Sequence, residues 1–406
     1  MDAEVIVVGA GPAGSTAARL LAEQGIDVLL LDKESFPRFK ACGGGLPSHV
    51  LSCYPFLREL KVIESLSYGG YIYPPSMEQK VHIEKDSPVI AMVRRDIFDH
   101  ALLNLAQQKG AQFKEKVKVT DLAINADGTC LTLDNDDQLH TKLVIGADGV
   151  FSTIARRTGL TTKSASLGMC IVEEWNVDEE LMDEYFTEKR LCHLHSGFMN
   201  VAGYGWVFPK KCHLNIGLLD HRVVADTTQR VNIKKIFTTY LSTLKDRRII
   251  PDTIVSSKVQ GGVIPTHPQH LTYGPRVLLC GDAAGFVNPV SGEGIYYALA
   301  SAELAAQTAV EALRNQDTSA RFLSRYQQQW KQAFGQELRL WLRSKGKWGA
   351  RSEKLVGLMN QDQRLADMLY LVMTGQERLC DWRWKIILRY LLARCTSPFK
   401  GPSPWQ

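Results

Sequence analysis

The sequence predicts an α/β protein in three parts: a discontinuous domain built on a parallel sheet, an antiparallel β-sheet domain inserted into it, and a helical C-terminal cap. Three observations carry this expectation. The first 32 residues read as strand, glycine turn, helix, strand, the βαβ unit of a parallel sheet. The same pattern of buried strand followed by glycines returns at Leu143 to Gly149 and at Arg276 to Ala284, far along the chain. From about Gly294 onward the apolar spacing is predominantly helical.

Each element follows from its residues. Val5 to Val8 is a short apolar run of β-formers leading into Gly9-Ala10-Gly11-Pro12-Ala13-Gly14. An Ala/Leu-rich helix then runs to about Gln24, and Gly25 stops it where a left-handed residue is needed. Val28 to Leu31 is a second buried strand, ending in Asp32. Asp96 to Lys109 has helical spacing (Ile97, Phe98, Ala101, Leu102, Leu105) and stops at Gly110. Short strand-like runs fill about 70–93 and 113–145, and segments such as Gly203 to Phe208 and Leu214 to Leu219 continue the β pattern within 165–265. The expected limits are 1–75, 94–165 and 270–330 for the discontinuous domain, 76–93 and 166–269 for the β-sheet substrate domain, and 331–406 for the cap.

Composition agrees with two or three domains in 406 residues. Hydrophobic residues at 45% and charged residues at 22% are ordinary for a soluble globular protein, which excludes wholesale disorder, collagen-like repeats and a polytopic membrane protein. A net charge of +5 is too mild for nucleic-acid binding without a focused patch. Nine scattered cysteines without CxxC spacing read as reduced thiols in a cytoplasmic setting. Acidic Asp2 and Glu4 before the first strand are unlike a signal peptide. No run approaches the roughly 18–20 apolar residues that span a bilayer; Ile386 to Ala393 is short and broken by Arg389.

The glycine turn has a chemical purpose. Gly9 permits the tight turn, Gly11 lets the backbone approach a pyrophosphate, and Gly14 lets helix pack on strand. Ala13 lies in the same turn, and Pro12 suits a first helical turn, where its missing N–H costs nothing. Asp32, 18 residues after Gly14, is placed to accept hydrogen bonds from ribose hydroxyls. This defines a dinucleotide site and leaves FAD and NAD both open. Two distant segments decide for FAD: Gly146-Ala147-Asp148-Gly149, and Gly281 to Pro289 followed by Gly292-Glu293-Gly294-Ile295. Asp282 is expected to bind a ribityl hydroxyl, and the helix opening at Gly294 and Ile295 to face the flavin pyrimidine, where charge collects on reduction. The fold expected is therefore a Rossmann-like FAD-binding domain carrying an inserted sheet.

The order of GxGxxG, Arg95-x-x-Phe98-Asp99, GADG and GDAAGFVNP with GEGI resembles the para-hydroxybenzoate-hydroxylase-like flavoprotein superfamily over about residues 1–310. The resemblance implies that Arg95 lies near the FAD pyrophosphate and that the backbone of Val119 meets the adenine. Two further motifs, Lys40-Ala41-Cys42-Gly43-Gly44-Gly45-Leu46-Pro47 and Tyr204-Gly205-Trp206-Val207-Phe208-Pro209, are similar to those of the geranylgeranyl reductase family. That resemblance implies reduction of carbon–carbon double bonds in polyprenyl chains, with Cys42, Gly43 and Gly45 beside the flavin. On a strand, Tyr204, Trp206 and Phe208 point to one face. Such a wall suits either a tunnel for an apolar chain or sheet-to-sheet core packing, and the resemblance favours the tunnel and a substrate-binding role.

An isolated trisubstituted alkene has no carbonyl to polarise it, so hydride delivery from flavin N5 must be coupled to protonation in a dry site. Cys42 is the first candidate proton carrier and Tyr204 the second; the alternative for Cys42 is a small buried hydrophobe lining the flavin. With no second GxGxxG, the electron donor is expected to be NAD(P)H visiting transiently or a ferredoxin-like protein. The competing function is an FAD-dependent monooxygenase hydroxylating an apolar substrate; the W-x-W-x-I-P segment of the related halogenases is missing. A third reading is a non-catalytic FAD-binding sensor.

Other signals carry less. His193 and His195 near Cys192, and His213 after Cys212, lack a ligand framework, so no metal is expected. Lys210 and Lys211 read as a solvated turn, and Cys380 and Cys395 as separate thiols unless geometry allows a bridge. Arg339, Arg343, Lys345, Lys347 and Arg351 form one acid-free basic stretch, and Arg383, Lys385, Arg389, Arg394 and Lys400 a second, interleaved with Trp382, Trp384 and aliphatic residues. Cations among apolar and aromatic residues suit peripheral attachment to an anionic membrane surface. The alternative is a solvated basic face that docks an acidic electron donor.

Overall fold

The computed structural model describes residues 1–161, 167–221, 232–254, 258–349 and 352–396, with side chains left aside at 346–349 and 396. The Lys347 side chain, Arg351, Lys400 and the expected domain limit at 165–166 lie outside the described residues.

The opening βαβ unit forms as its pattern dictates. Strand Ala3–Val8 pairs in parallel with Val28–Leu31 on one side and with Gln138–Gly146 on the other. Val277–Leu279 extends the parallel array beyond Gln138–Gly146, and Gln112–Lys114 extends it beyond Val28–Leu31. Gly146 and Leu279 are thus neighbours, which brings the three glycine segments to one edge of a single sheet. Strands Val119–Ile124 and Thr129–Leu133 form an antiparallel flap on it, and Tyr273–Gly274, antiparallel to Val277–Leu279, completes eight strands. Helix Pro12–Glu23 buries its Ala-rich face on this sheet, and helix Ile295–Arg314 packs against the same core through Ala302, Ala305, Ala306 and Ala309. Small side chains on both helices permit that close approach.

The second sheet has seven strands in the order Gln260–Pro265, Leu167–Asn176, His213–Asp220, Gly203–Pro209, Cys192–Ser196, Gly69–Tyr73, Val81–Glu84. All neighbours are antiparallel except Cys192–Ser196 with Gly69–Tyr73. Strand Gly69–Tyr73 therefore belongs to this sheet, whereas Ile90–Val93 pairs with Gly45–Pro47 and Ile63–Ser67 in a small third sheet. The expected limits put 69–73 with the discontinuous domain and 90–93 with the β-sheet domain, whereas strand pairing sets the first in the seven-stranded sheet and the second with 45–47 and 63–67. Helix Ile233–Asp246 covers one face with Ile236, Phe237, Tyr240 and Leu244, and the opposite face looks toward the glycine segments.

The C-terminal part is helical: Ala320–Trp330, a π-type turn Lys331–Gly335, then Gln336–Gly349, Ser352–Gln361, Gln363–Met373 and Leu379–Thr396. The π-type turn brings Trp330 and Phe334, stacked on each other, against Phe286, with ring centroids 4.8 and 5.2 Å from it, so the helical part holds the GDAAGF loop directly. Glu337 ties the last helix down: its carboxylate accepts from the Leu379 and Cys380 amides and from the Trp341 indole. Cys380 and Cys395 sit on one helix, about 22 Å apart at 1.5 Å per residue, so they do not bridge within the chain. Among the described residues no helix is long and apolar enough to cross a membrane.

Candidate active site

The glycine turn is built from contacts that exclude side chains. A Cβ on Gly14 would lie 1.7 Å from the Gly9 carbonyl oxygen, and one on Gly9, whose φ is +99°, would lie 2.3 Å from that of Ala147. Ala147 belongs to the GADG segment, so the two motifs are locked together by backbone contact. Asp32 accepts from the Ala10 amide at 2.6 Å and from the Glu34 amide at 2.9 Å, which fixes its carboxylate at the end of the second strand. Its carbonyl accepts from Val117 at 2.9 Å, and Val119 starts the flap strand just beyond, 4% exposed. Asp148 is held by the Ser152 hydroxyl and the Thr153 and Ile154 amides, which anchors the helix that follows.

Beside this turn lies a charge cluster only partly legible in the sequence. Asp99 is fully buried and receives a two-pronged hydrogen bond from Arg95, both at 2.8 Å. Burial disfavours the Arg95 charge, but the Asp99 carboxylate prevails and holds its guanidinium above the ordinary range; Cys42 adds to this. Arg38 also faces Asp99, at 3.1 Å, and its Nη2 lies 3.5 Å from where a Gly11 Cβ would be. Arg38 Nη1 is buried without an aligned hydrogen-bond acceptor. Nη1 thus faces Asp99 while Nη2 is directed over the second glycine, where a pyrophosphate would accept from it. No motif in the sequence singles out Arg38.

The flavin end forms where the sheets meet. Gly294 caps helix Ile295–Arg314 with no side chain on it, and Asp282 approaches: its Oδ1 lies 3.7 Å from a Gly294 Cβ position. Glu293 accepts from the Tyr296 amide at 2.9 Å, and burial pushes its carboxyl up to about 7. Together, the bare glycine turn, the Arg38 guanidinium over it and the open helix end fit the pyrophosphate and the electron-rich end of FAD.

The Cys42–Gly45 loop passes in front of the aromatic strand. A Cβ on Gly43 would meet the Phe208 ring at 2.8 Å, and one on Gly44, φ +72°, the Val93 carbonyl at 2.0 Å. These glycines are demanded by the protein's own packing, a stronger reason than clearance for a ligand. Asn215, fully buried, joins loop to strand: its Oδ1 accepts from Trp206 Nε1 at 2.8 Å and its Nδ2 donates to the Cys42 carbonyl at 3.1 Å. Gly44 N donates to Cys42 Sγ at 3.4 Å, and Tyr204 O–H donates to the Ser291 carbonyl. Burial pushes the Tyr204 hydroxyl above its ordinary range.

Tyr204, Trp206 and Phe208 stand on one face, with successive centroids 5.9 and 6.1 Å apart. They divide in position. Tyr204 and Phe208 line a cavity of about 470 Å³, whereas Trp206 is 4% exposed and sits over Gly217, where a Cβ would come within 2.2 Å of the indole. Cys42, Gly43, Gly45, Gly294 and Ile295 line the same cavity, and Trp341, Lys345, Met373 and Thr374 of the cap close it. Gly9, Gly11, Ala13, Gly14, Asp32, Arg95, Val119 and Asp282 are not part of its wall.

Two other expectations resolve. Lys210 is not solvated: it is 1% exposed and ion-paired with Glu174, because the aromatic strand ends under the glycine loop, while Lys211 remains exposed. His193 and His195 lie on the opposite face of the sheet, bonded to Tyr73 at 3.1 Å and Tyr240 at 2.7 Å, and burial pushes both imidazoles down.

Such a site defines an FAD-dependent oxidoreductase. The family of FAD binding domains matches residues 2–338, and the chain belongs to it, in the branch of the geranylgeranyl reductases. It is 30% identical over 394 residues to digeranylgeranylglycerophospholipid reductase 2 of Methanopyrus kandleri, covering 93% of this chain and 94% of the relative. The digeranylgeranylglycerophospholipid reductase of Methanocaldococcus jannaschii is 31% identical, over 81% of this chain and 82% of its own. The crystal structure of a geranylgeranyl bacteriochlorophyll reductase-like protein from Thermoplasma acidophilum has the same fold, with a TM-score of 0.78 at 23% identity over 94% of this chain and 98% of that one.

Replacing Arg38 by alanine is expected to weaken FAD binding at least about tenfold, the worth of one charge-assisted hydrogen bond, with far-UV circular dichroism unchanged. Titration of apoprotein with FAD, followed by flavin fluorescence, reads this; an unchanged affinity would remove Arg38 from the pyrophosphate site.

Proposed function

We propose that this chain saturates carbon–carbon double bonds in the polyprenyl chains of lipids. The observation that carries the reading is the cavity itself: an apolar chamber lined by Ile72, Ile90, Leu194, Phe208, Ile295 and Met373, with the glycine loop at one wall and the helix end at Gly294 beside it. The names of the archaeal relatives support the same substrate class.

Saturating an isolated double bond adds one hydride and one proton, and reduced FAD supplies the hydride when bound. The chain's own residues do the rest. The apolar wall excludes water and holds an extended isoprenoid by burial, worth about 0.8 kcal/mol per methylene. Tyr204 and Phe208 offer π-faces to positive character at the substituted carbon. The Cys42 thiol delivers the proton, since the Tyr204 hydroxyl is already committed to the Ser291 carbonyl. Trp206 holds Asn215, and Asn215 holds Cys42. Re-reduction of the cofactor falls to NAD(P)H or a ferredoxin-like carrier, since the sequence contains no second GxGxxG.

Peripheral attachment to an anionic membrane completes the reading. Helix Leu379–Thr396 turns Ile386, Tyr390 and Ala393 inward, and exposes Trp384 (67%), Leu388 (61%) and Leu391 (51%) along with Ile387 and Leu392. Arg383 and Lys385 flank this ridge, stacked on Trp384 and Trp382, and Arg394 sits over Tyr390. Arg389 is spent on Asp362 at 2.7 Å. An apolar ridge with cations beside it fits the boundary between headgroups and acyl chains.

Anaerobic incubation of the dithionite-reduced holoenzyme with geranylgeranyl lipids, followed by mass spectrometry, is expected to give products heavier by two hydrogens per reduced bond, with Cys42→Ala keeping FAD but losing most of the rate. A strict requirement for oxygen would instead indicate a monooxygenase, and an unimpaired Cys42→Ala would leave Cys42 as a lining residue. In flotation with anionic vesicles at low salt the protein is expected to rise with the lipid, and Trp384→Glu/Leu388→Glu to stay below; wild-type protein remaining at the bottom would contradict membrane attachment.

A further inference from the structure

One group in the cavity wall has no place in that chemistry. Helix Gln336–Gly349 presents Trp341 and, one turn on, Lys345 to the cavity. Lys345 is half-buried, desolvation pushes its ammonium down, and among the described residues no carboxylate is paired with it. The nearest acid on its own face, Glu337, is eight residues back, about 12 Å along the helix, and its oxygens already serve Leu379, Cys380 and Trp341. His221 lines the cavity with Lys345, and after burial the Lys345 charge helps to push the His221 and His267 imidazoles down. His221 adds no charge: burial pushes it down to about 4, and its Nε2 meets the Val290 carbonyl at 3.1 Å. Lys345 is the one lysine or arginine among the described residues of a mainly apolar wall. Desolvating an unpaired ammonium is unfavourable unless an anion joins it.

We propose that Lys345 receives the phosphate group of the substrate and thereby selects phosphorylated prenyl compounds over neutral ones. The inference rests on the polyprenyl-reductase reading and adds polarity to it: the anionic head sits at the cap and the chain runs toward the glycine loop. A phosphate fits better than a carboxylate because a tetrahedral anion accepts from one flexible ammonium in any orientation while keeping oxygens for Ser196 and Asn200, which line the same cavity. The phosphate comes either from a prenyl diphosphate or from a prenylated glycerophosphate.

The test compares wild type, Lys345→Ala and Lys345→Arg as FAD-loaded enzymes with three probes: geranylgeraniol, geranylgeranyl diphosphate, and digeranylgeranylglyceryl phosphate in neutral micelles. Binding to oxidised enzyme is read from quenching of tryptophan fluorescence, and KM and kcat from dithionite-driven reduction. For Lys345→Ala, Kd and KM are expected to rise at least about tenfold for one or both phosphorylated probes and to change less than about twofold for geranylgeraniol, with kcat nearly unchanged and Lys345→Arg close to wild type. A response to the diphosphate alone assigns the soluble prenyl diphosphate, and a response to the glycerophosphate alone assigns the lipid. Equal losses on all three probes, or no loss on any, overturn the proposal. So does a shift of the flavin spectrum or midpoint potential in Lys345→Ala, which would put the ammonium on the flavin. If wild type reduces none of the probes, the reductase reading fails, while the binding arm still decides what Lys345 holds.

Discussion

The glycine loop is joined to the seven-stranded sheet by a chain of two hydrogen bonds through one buried amide. Trp206 donates to Asn215, and Asn215 donates to the Cys42 carbonyl. Without it, the Cys42–Gly45 loop would be held to the aromatic strand only by contact. Burying Asn215 completely is tolerated because both its carbonyl and its amide are engaged; leaving one unpaired would cost about 1–3 kcal/mol. The bond sets three things at once: the depth of the glycine loop against Phe208, the position of the Cys42 sulfur, and the orientation of the Trp206 indole over Gly217. Trp206 thus takes the middle of the aromatic triplet out of the cavity and leaves its flanks, Tyr204 and Phe208, in the wall.

Much of this was legible in sequence where a backbone constraint has a short-range signature. Gly9 and Gly14 are forced by contacts within the turn, and Asp32 ends a strand of fixed length after a helix of fixed length, so spacing alone locates it. The alternation of Tyr204, Trp206 and Phe208 placed all three on one face, but period two cannot say which side chains face a cavity and which a facing glycine. The glycine triplet was expected to lie beside the flavin; the groups that press on it within the chain are Phe208 and Val93. What stayed hidden depends on long-range meeting. Arg38 and Asp99 are 61 residues apart. Asn215 looks like any strand residue until it is paired with Trp206. Lys210 reads as a surface charge because its partner Glu174 arrives from another strand.

The cap links the cavity wall to an exposed apolar ridge. Trp330 and Phe334 pack together on Phe286, so the loop bearing Asp282 is held from the cap side. Glu337 then fastens the last helix to the helix that carries Trp341 and Lys345 into the cavity. The cavity wall and the apolar ridge of Trp384, Leu388 and Leu391 are therefore parts of one packed unit. The mild net charge of +5 conceals this division, since the cations of the ridge are offset by acids elsewhere in the chain.

The most direct test of the joint is Asn215→Leu, which keeps the approximate volume and removes both hydrogen bonds. FAD affinity, which depends on the distant glycine turn and Arg38, is expected to stay within about threefold of wild type, while the anaerobic rate of prenyl reduction falls at least about tenfold, the loss set by a displaced Cys42 loop. An Asn215→Leu enzyme that binds FAD and reduces prenyl chains at the wild-type rate would contradict the account.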